Sequence, residues 1–194
     1  MPRTPKITNQ QILEAAREVF LEKGFSGATL EIATRAGVSE ASIFKRFSTK
    51  EELFYAAMGI SETPAWMKQL ETLADRGDLK ENLVQICLQI LEFHREVVPQ
   101  LIMLLSRGNS FPKPQDETHA PIRDVKRLTH FLEREMQQGR LRPCEPTTVA
   151  HILLGSLMNY VVTIEIYNQE DVGANDSVFV RNLVDIIWLG ISPT

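Results

Sequence analysis

The sequence predicts an all-α protein, with a small N-terminal three-helix unit packed on a larger C-terminal helical bundle, about nine helices in all. Three observations carry that expectation. Apolar residues recur at helical rather than alternating spacing in almost every segment. Residues that start and stop helices stand where those patterns begin and end. Helical segments are short up to residue 50 and longer beyond residue 61.

The first helix runs through "TNQQILEAAREVFLEKG", where Ile12, Ala16, Val19, Phe20 and Lys23 fall at helical spacing and give it one apolar face. Thr8 and Gln11 have the spacing of a capping box, and Gly24 is a natural stop. A second helix is expected from Thr29 to Ala36, ended by Gly37. Ser39 caps a third, "EASIFKRF", and Thr49 caps a fourth that begins "KEELFYAAM", with Glu52 at the reciprocal box position. Asp78 starts a longer segment to about Val98, and Pro99 fits the first turn of a new helix through "QLIMLLSR". "GNSFPKPQDETHAP" has three prolines and no period, so it reads as a loop. Further helices are expected at 120–138, 146–168 and 176–191. The domain division that follows is 1–50 and 51–194.

Composition narrows the function classes. With 43% hydrophobic and 24% charged residues, the 194-residue chain has ordinary globular material. No apolar stretch follows "MPRTPK", and Cys87 and Cys144 lack any partner spacing, so free thiols and a cytoplasmic address are expected. The net charge is −4, but it is unevenly spread. Residues 1–50 carry Arg3, Lys6, Arg17, Lys23, Arg35, Lys45, Arg46 and Lys50 against five glutamates, a net +3 on an otherwise acidic chain. A basic end on an acidic body suits a polyanion-binding role. No GxSxG, HExxH or phosphate-gripping glycine loop is present, so an enzyme is not expected. Cys87 and His94 lie seven apart on one face without further ligands in register, so neither metal nor cofactor is expected.

The stretch "VAHILLGSLMNYVVTIEIY" is apolar nearly all round, yet His151, Ser156, Asn159, Thr163 and Glu165 interrupt it, which makes it a poor membrane span. A helix apolar on every side is buried on every side. "VFVRNLVDIIWLGI" has the same surplus. Two such helices from each of two chains make a four-helix interface, so a homodimer through the last two helices is expected.

The segment "RAGVSEASIFKRF" has the form of a helix-turn-helix, two short helices about a glycine turn. Gly37 can take the positive φ of the turn, Val38 can fill the gap, and Ile43 and Phe47 point inward. Ala41 and Lys45 face outward with Ser42 and Phe44 beside them, a small-residue face able to enter a major groove about 12 Å wide.

The run "ILEAAREVFLEKGFSGATLEIATRAGVSEASIFKRFSTKEELF" closely resembles the N-terminal domain of TetR-family transcriptional regulators. The elements that carry the resemblance are "GF" after the first helix, the threonine before the second, "IA–RAGVS", "IFKRF" and "TKEEL". The resemblance implies a DNA-binding surface of Thr29, Ser39, Glu40, Ala41, Ser42, Phe44, Lys45, Arg46 and Lys50. Thr29 and Lys50 match phosphate contacts of the family. Phe44 stands where tyrosine is commoner, and Arg46 where histidine or tyrosine is. Glu40 has two readings, an acceptor for a cytosine amino group or a favourable charge at a helix N-terminus.

The same resemblance implies a body whose pocket takes a small effector, and a repressor released from a palindromic operator in double-stranded DNA. Lining material is abundant: Met58, Trp66, Met67, Phe93, Met103, Phe131, Met158 and Tyr160, with His94 and His130 as polar anchors. The candidate ligand set is Trp66, Phe93, Met103, Phe131 and Met158, which suits an apolar or aromatic effector. The other class open to this sequence is a helical protein-interaction module whose elbow is architectural.

Overall fold

The computed structural model describes residues 8–60, 64–106, 108, 120–167 and 175–193. Among them are nine α-helices and no strand: α1 (Asn9–Lys23), α2 (Thr29–Ala36), α3 (Glu40–Phe44), α4 (Lys50–Ala57), α5 (Ala65–Leu73), α6 (Leu79–Ser106), α7 (Ala120–Gln137), α8 (Pro146–Tyr167) and α9 (Asp176–Ile191). A single 3-10 turn, Gly24–Ser26, follows α1. The described residues of 1–61 and 99–113 form one compact unit, and those of 62–98 and 114–194 form another.

In the first unit α1 packs on α2 and α4. Ile12, Ala16, Val19 and Phe20 are buried, the face that the periodicity selects. The Thr8 side chain accepts from the Gln11 N–H, and the Gln11 side chain accepts from the Thr8 N–H at 2.9 Å, closing the capping box. Phe54 meets both Phe20 and Phe25 edge to face, with centroids 5.1 and 5.6 Å apart, while Phe20 and Phe25 lie stacked at 6.4 Å. Phe25 of the "GF" pair therefore wedges the turn after α1 against α4. Gly27 lets that turn approach closely, since a Cβ there would stand 2.7 Å from Val19 Cγ1.

Several elements differ from expectation. Helix α3 stops at Phe44, three residues early, although Phe47 N–H still donates to the Ile43 carbonyl at 2.9 Å and keeps the turn wound. Helix α5 is an element that the sequence expectation lacks; Pro64 opens it, and Trp66, Met67 and Leu70 are its buried face. Pro99 does not begin a helix. Helix α6 runs unbroken through it for 28 residues. A mid-helix proline costs about 3 kcal/mol. Val97, Val98 and Leu104 are buried on either side of it, and burial of that order offsets the loss. The expected loop at 108–121 falls largely on residues 109–119, outside the described residues.

In the second unit α7 lies along α8 and also touches α5. Helix α9 docks antiparallel to α6 through ion pairs: Lys80 to Asp185 at 2.7 Å, Glu81 to Arg181 at 3.0 Å and Arg95 to Asp176 at 2.5 Å. Tyr160 stacks on Phe179 with centroids 3.9 Å apart, tying α8 to α9. By length and composition α8 can cross a membrane, but its two sides differ: Val149, Leu153, Leu157, Tyr160, Val161 and Ile164 are buried, while His151, Asn159 and Glu165 are exposed beside Ile152 and Ile166.

Candidate nucleic-acid interface

The elbow is built by α2 and α3. Gly37 sits at φ 68°, ψ 33°, the left-handed conformation that lets α2 stop and the chain turn, and its N–H still bonds back to the Thr34 carbonyl at 3.2 Å. Val38 is half-buried, with its N–H on the Ala33 carbonyl at 2.9 Å. Ser39 caps α3, its Oγ accepting from the Ser42 N–H at 3.2 Å and lying 2.9 Å from Ser42 Oγ. Ile43 and Phe47 are buried and anchor α3. Ala41, Phe44, Lys45 and Arg46 are exposed, and Ser42 is half-buried. The inward and outward faces are those the spacing selects.

The cations are not equivalent. Arg35 forms a bidentate pair with Glu22, at 3.0 and 2.7 Å, and reaches Glu31 at 2.7 Å, while Lys23 pairs with Glu31 at 2.6 Å. Hydrogen bonds from Lys23 and then Arg35 hold the Glu31 carboxyl below its ordinary value, and Glu22 and Glu31 raise Arg35 above its own. Two of the basic residues counted in the sequence are thus neutralised within the unit. The Glu31–Arg35 pair is visible in the sequence as an i,i+4 spacing; the Glu22–Arg35 pair joins two helices and is not. Lys45 has no ion pair among the described residues. Arg46 Nη1 donates to the Ser42 carbonyl at 3.3 Å. Lys50 stands 4.8 Å over the Phe25 ring, a cation–π contact that fixes the ammonium at the head of α4. Thr49 Oγ accepts from the Glu52 N–H at 3.0 Å, and Glu52 accepts from the Ser48 N–H at 2.5 Å, one residue before the position expected of a capping box.

Thr29 and Glu40, eleven residues apart, are brought together: Thr29 Oγ1 donates to Glu40 Oε1 at 2.5 Å. Sequence spacing carries no sign of that bond.

In the second unit, α5 and α7 enclose a cleft of about 90 Å³ lined by Met67, Leu70, Glu71, Arg123, Arg127, His130, Phe131 and Arg134. Of the candidate ligand residues only Phe131 lines it. Trp66 is buried beside it in sequence, Phe93 and Met158 are half-buried elsewhere in the unit, and exposed Met103 belongs to the first unit. Met67 and His130, named as lining material and anchor, do reach the cleft. Arg123, Arg127 and Arg134 carry no expectation from sequence, though with His130 they repeat at helical spacing on one face. Arg134 pairs with Asp75 at 2.5 Å and Arg123 with Asp124 at 2.8 Å. Cys87 and His94 are both buried, which pushes the thiol up to about 12 and the imidazole down to about 4, so both are neutral near pH 7.

Residues 12–57 match the family model "Bacterial regulatory proteins, tetR family". The chain is 31% identical over 163 residues to the HTH-type transcriptional repressor AcnR of Corynebacterium efficiens, covering 80% of each chain. It belongs to the TetR family. Members of this family are DNA-binding transcriptional regulators, and the match takes in the elbow together with α1 and α4. The uncharacterized HTH-type regulator YvkB of Bacillus subtilis is 35% identical over 47% of this chain and 49% of its own length. The TetR fold extends over nearly the whole chain: the regulator FadR of Bacillus subtilis, solved in complex with stearoyl-CoA, aligns with a TM-score of 0.60 at 20% identity, covering 91% of this chain and 97% of that one.

Proposed function

We propose that this TetR-family member is a repressor that binds a palindromic operator as a homodimer and is released by a small effector with an apolar body. Residues 1–50 read DNA, and residues 51–194 bind the effector and dimerise. The observation that carries this is the division of α3: Ile43 and Phe47 hold it from within, while Ala41, Phe44 and Lys45 stand exposed. A small-residue face with a cation, preceded by a capped N-terminus, suits entry into a major groove. Lys50, steadied by Phe25, and Arg46 grip phosphates on either side, whereas Phe44 packs on sugar.

Dimerisation is supported by the apolar surfaces left over on α8 and α9. Ile166, Tyr167, Ile186 and Leu189 are each more than half exposed, Leu189 at 86%. Such a patch on a folded unit marks an interface. For the effector, Met67, Leu70 and Phe131 supply an apolar floor, rimmed by Glu71 and three arginines, of which Arg123 and Arg134 are paired with Asp124 and Asp75 while Arg127 has no ion pair among the described residues. A ligand with an apolar body and an anionic end, the chemistry that FadR accommodates in stearoyl-CoA, suits that lining.

The test is selection from a randomised duplex library on the purified protein. Enrichment of a near-palindromic site is expected, because a two-fold dimer presents two equal heads. Retention of no duplex at low salt would hand the elbow to the architectural alternative.

A further inference from the structure

We infer that Glu40 is the selectivity residue of the elbow and Thr29 its positioning residue: the Thr29–Glu40 hydrogen bond holds a carboxylate on the reading face, where it accepts from an amino-bearing base edge, cytosine first. The inference rests on the DNA-reading role proposed above and assigns a specific task within it. Glu40 is the first residue of α3, but capping there is served by Ser39, whose Oγ takes the Ser42 N–H. The carboxylate instead accepts from Thr29 Oγ1 at 2.5 Å, bridging the starts of α2 and α3.

A threonine hydroxyl has one proton. While it donates to Glu40 it cannot donate to a phosphate, so the phosphate contact that the family resemblance assigns to Thr29 is displaced. The other carboxylate oxygen, Oε2, makes no hydrogen bond or ion pair among the described residues, and its lone pairs are open. Nor does a cation neutralise Glu40. Lys23 and Arg35 are taken by Glu31 and Glu22.

An anion fixed on this face repels backbone phosphates. In the major groove it matches only groups that donate, the N4 amino of cytosine or the N6 amino of adenine, and it opposes the O6 and N7 of guanine and the O4 of thymine. One group therefore weakens binding to random sequence and rewards an amino-bearing base at a fixed place in each half-site, cytosine above adenine because adenine also presents its N7 acceptor there.

The experiment compares wild type, Glu40→Ala, Thr29→Val and the double variant in selection from a randomised duplex library. Each is then titrated against the wild-type site, single-base variants of it and a scrambled duplex, with circular dichroism establishing that each is folded. Wild type is expected to select cytosine at one position per half-site. Glu40→Ala should keep the rest of the site, lose roughly five- to a hundredfold discrimination at that position, and bind scrambled duplex more tightly. Thr29→Val should reproduce part of that loss where Glu40 is present and add nothing in Glu40→Ala. If Glu40→Ala selects the same site with the same preferences, the inference is overturned and the DNA-reading role stands. It is likewise overturned if Thr29→Val weakens every duplex alike in both backgrounds, the signature of a phosphate donor. If wild type selects no duplex, the DNA-reading role falls and the inference with it.

Discussion

Lys45, exposed beside the elbow, and Lys50, half-buried at the head of α4, differ in what holds them, and that difference sets their expected effects. Lys50 is steadied 4.8 Å over Phe25, at the head of a capped helix, and suits a phosphate clamp. Lys45 caps the end of α3 and is exposed, without an ion pair among the described residues. Phosphate contacts position, and base contacts specify. Lys50→Ala should weaken all sequences alike and reduce the log–log salt slope by about 2 per dimer, at about 0.9 per phosphate. Lys45→Ala should shift the preferred sequence as well as affinity. Gel-shift titrations on the selected and scrambled duplexes separate the two. In the second unit, His94 Nδ1 is buried and makes no hydrogen bond among the described residues. Its pKa falls from 6.5 to about 4 by burial. Between those values the unfolded chain binds a proton that the folded chain refuses, so stability is full above pH 6.5 and is lost as pH falls towards 4. Urea unfolding at pH 7 and pH 5 should differ by up to about 2 kcal/mol more in wild type than in His94→Leu. The composition of these sites was legible in the sequence; their pairing was not. Glu22 with Arg35 and Thr29 with Glu40 are contacts across helices, which no helical period encodes.

At the scale of elements, the elbow depends on Gly37. A Cβ there would meet open space, so the cost of replacing it is purely conformational. Gly37→Ala, held at φ 68°, should destabilise the protein by about 1–2 kcal/mol, and Gly37→Asn by less, as read from urea midpoints. Helix starts were the best-read features of the sequence, because N-caps are local chemistry: Thr8, Ser39 and Thr49 all cap the helices assigned to them. Pro99 misled because the rule it follows is also local, whereas α6 is held by buried residues on both sides. Helix α5 shows no such local signal, because Pro64 opens it without the side-chain cap that marks α1, α3 and α4. Helices α8 and α9 make the opposite case, since their surplus of apolar residues is visible in composition and reappears as exposed Ile186 and Leu189. Leu189→Glu should halve the mass seen by light scattering, from twice the 22.0 kDa chain mass to that mass itself, while leaving helicity unchanged. A wild type that scatters as a 22.0 kDa particle at micromolar concentration would remove the dimer.

For the whole molecule, the net +3 of residues 1–50 stands, but Lys23 and Arg35 are paired with Glu31 and Glu22 within the first unit, so fewer cations are open to DNA than the eight in that stretch of sequence. What remains for DNA is a few cations per chain, consistent with about four to eight phosphates neutralised per dimer. Control by an effector requires that the ligand prefer one state, and coupling of about 1–3 kcal/mol lowers operator affinity roughly 5–150-fold, with DNA lowering ligand affinity by the same factor. In a Trp188→Phe variant the fluorescence of Trp66, next in sequence to the cleft residue Met67, reports binding of stearoyl-CoA and of aromatic compounds with and without operator. Equal affinities in the two conditions would rule out that compound as effector. The pocket was the least legible part of the sequence, since a buried Met or Phe lines a cleft or fills a core according to packing alone. The most direct measurement is a titration of the selected duplex over a range of salt, recording both stoichiometry and slope. Two chains per palindrome and a log–log slope of about −4 to −7 are predicted. One chain per site, or a slope near zero, would contradict the two-headed reader.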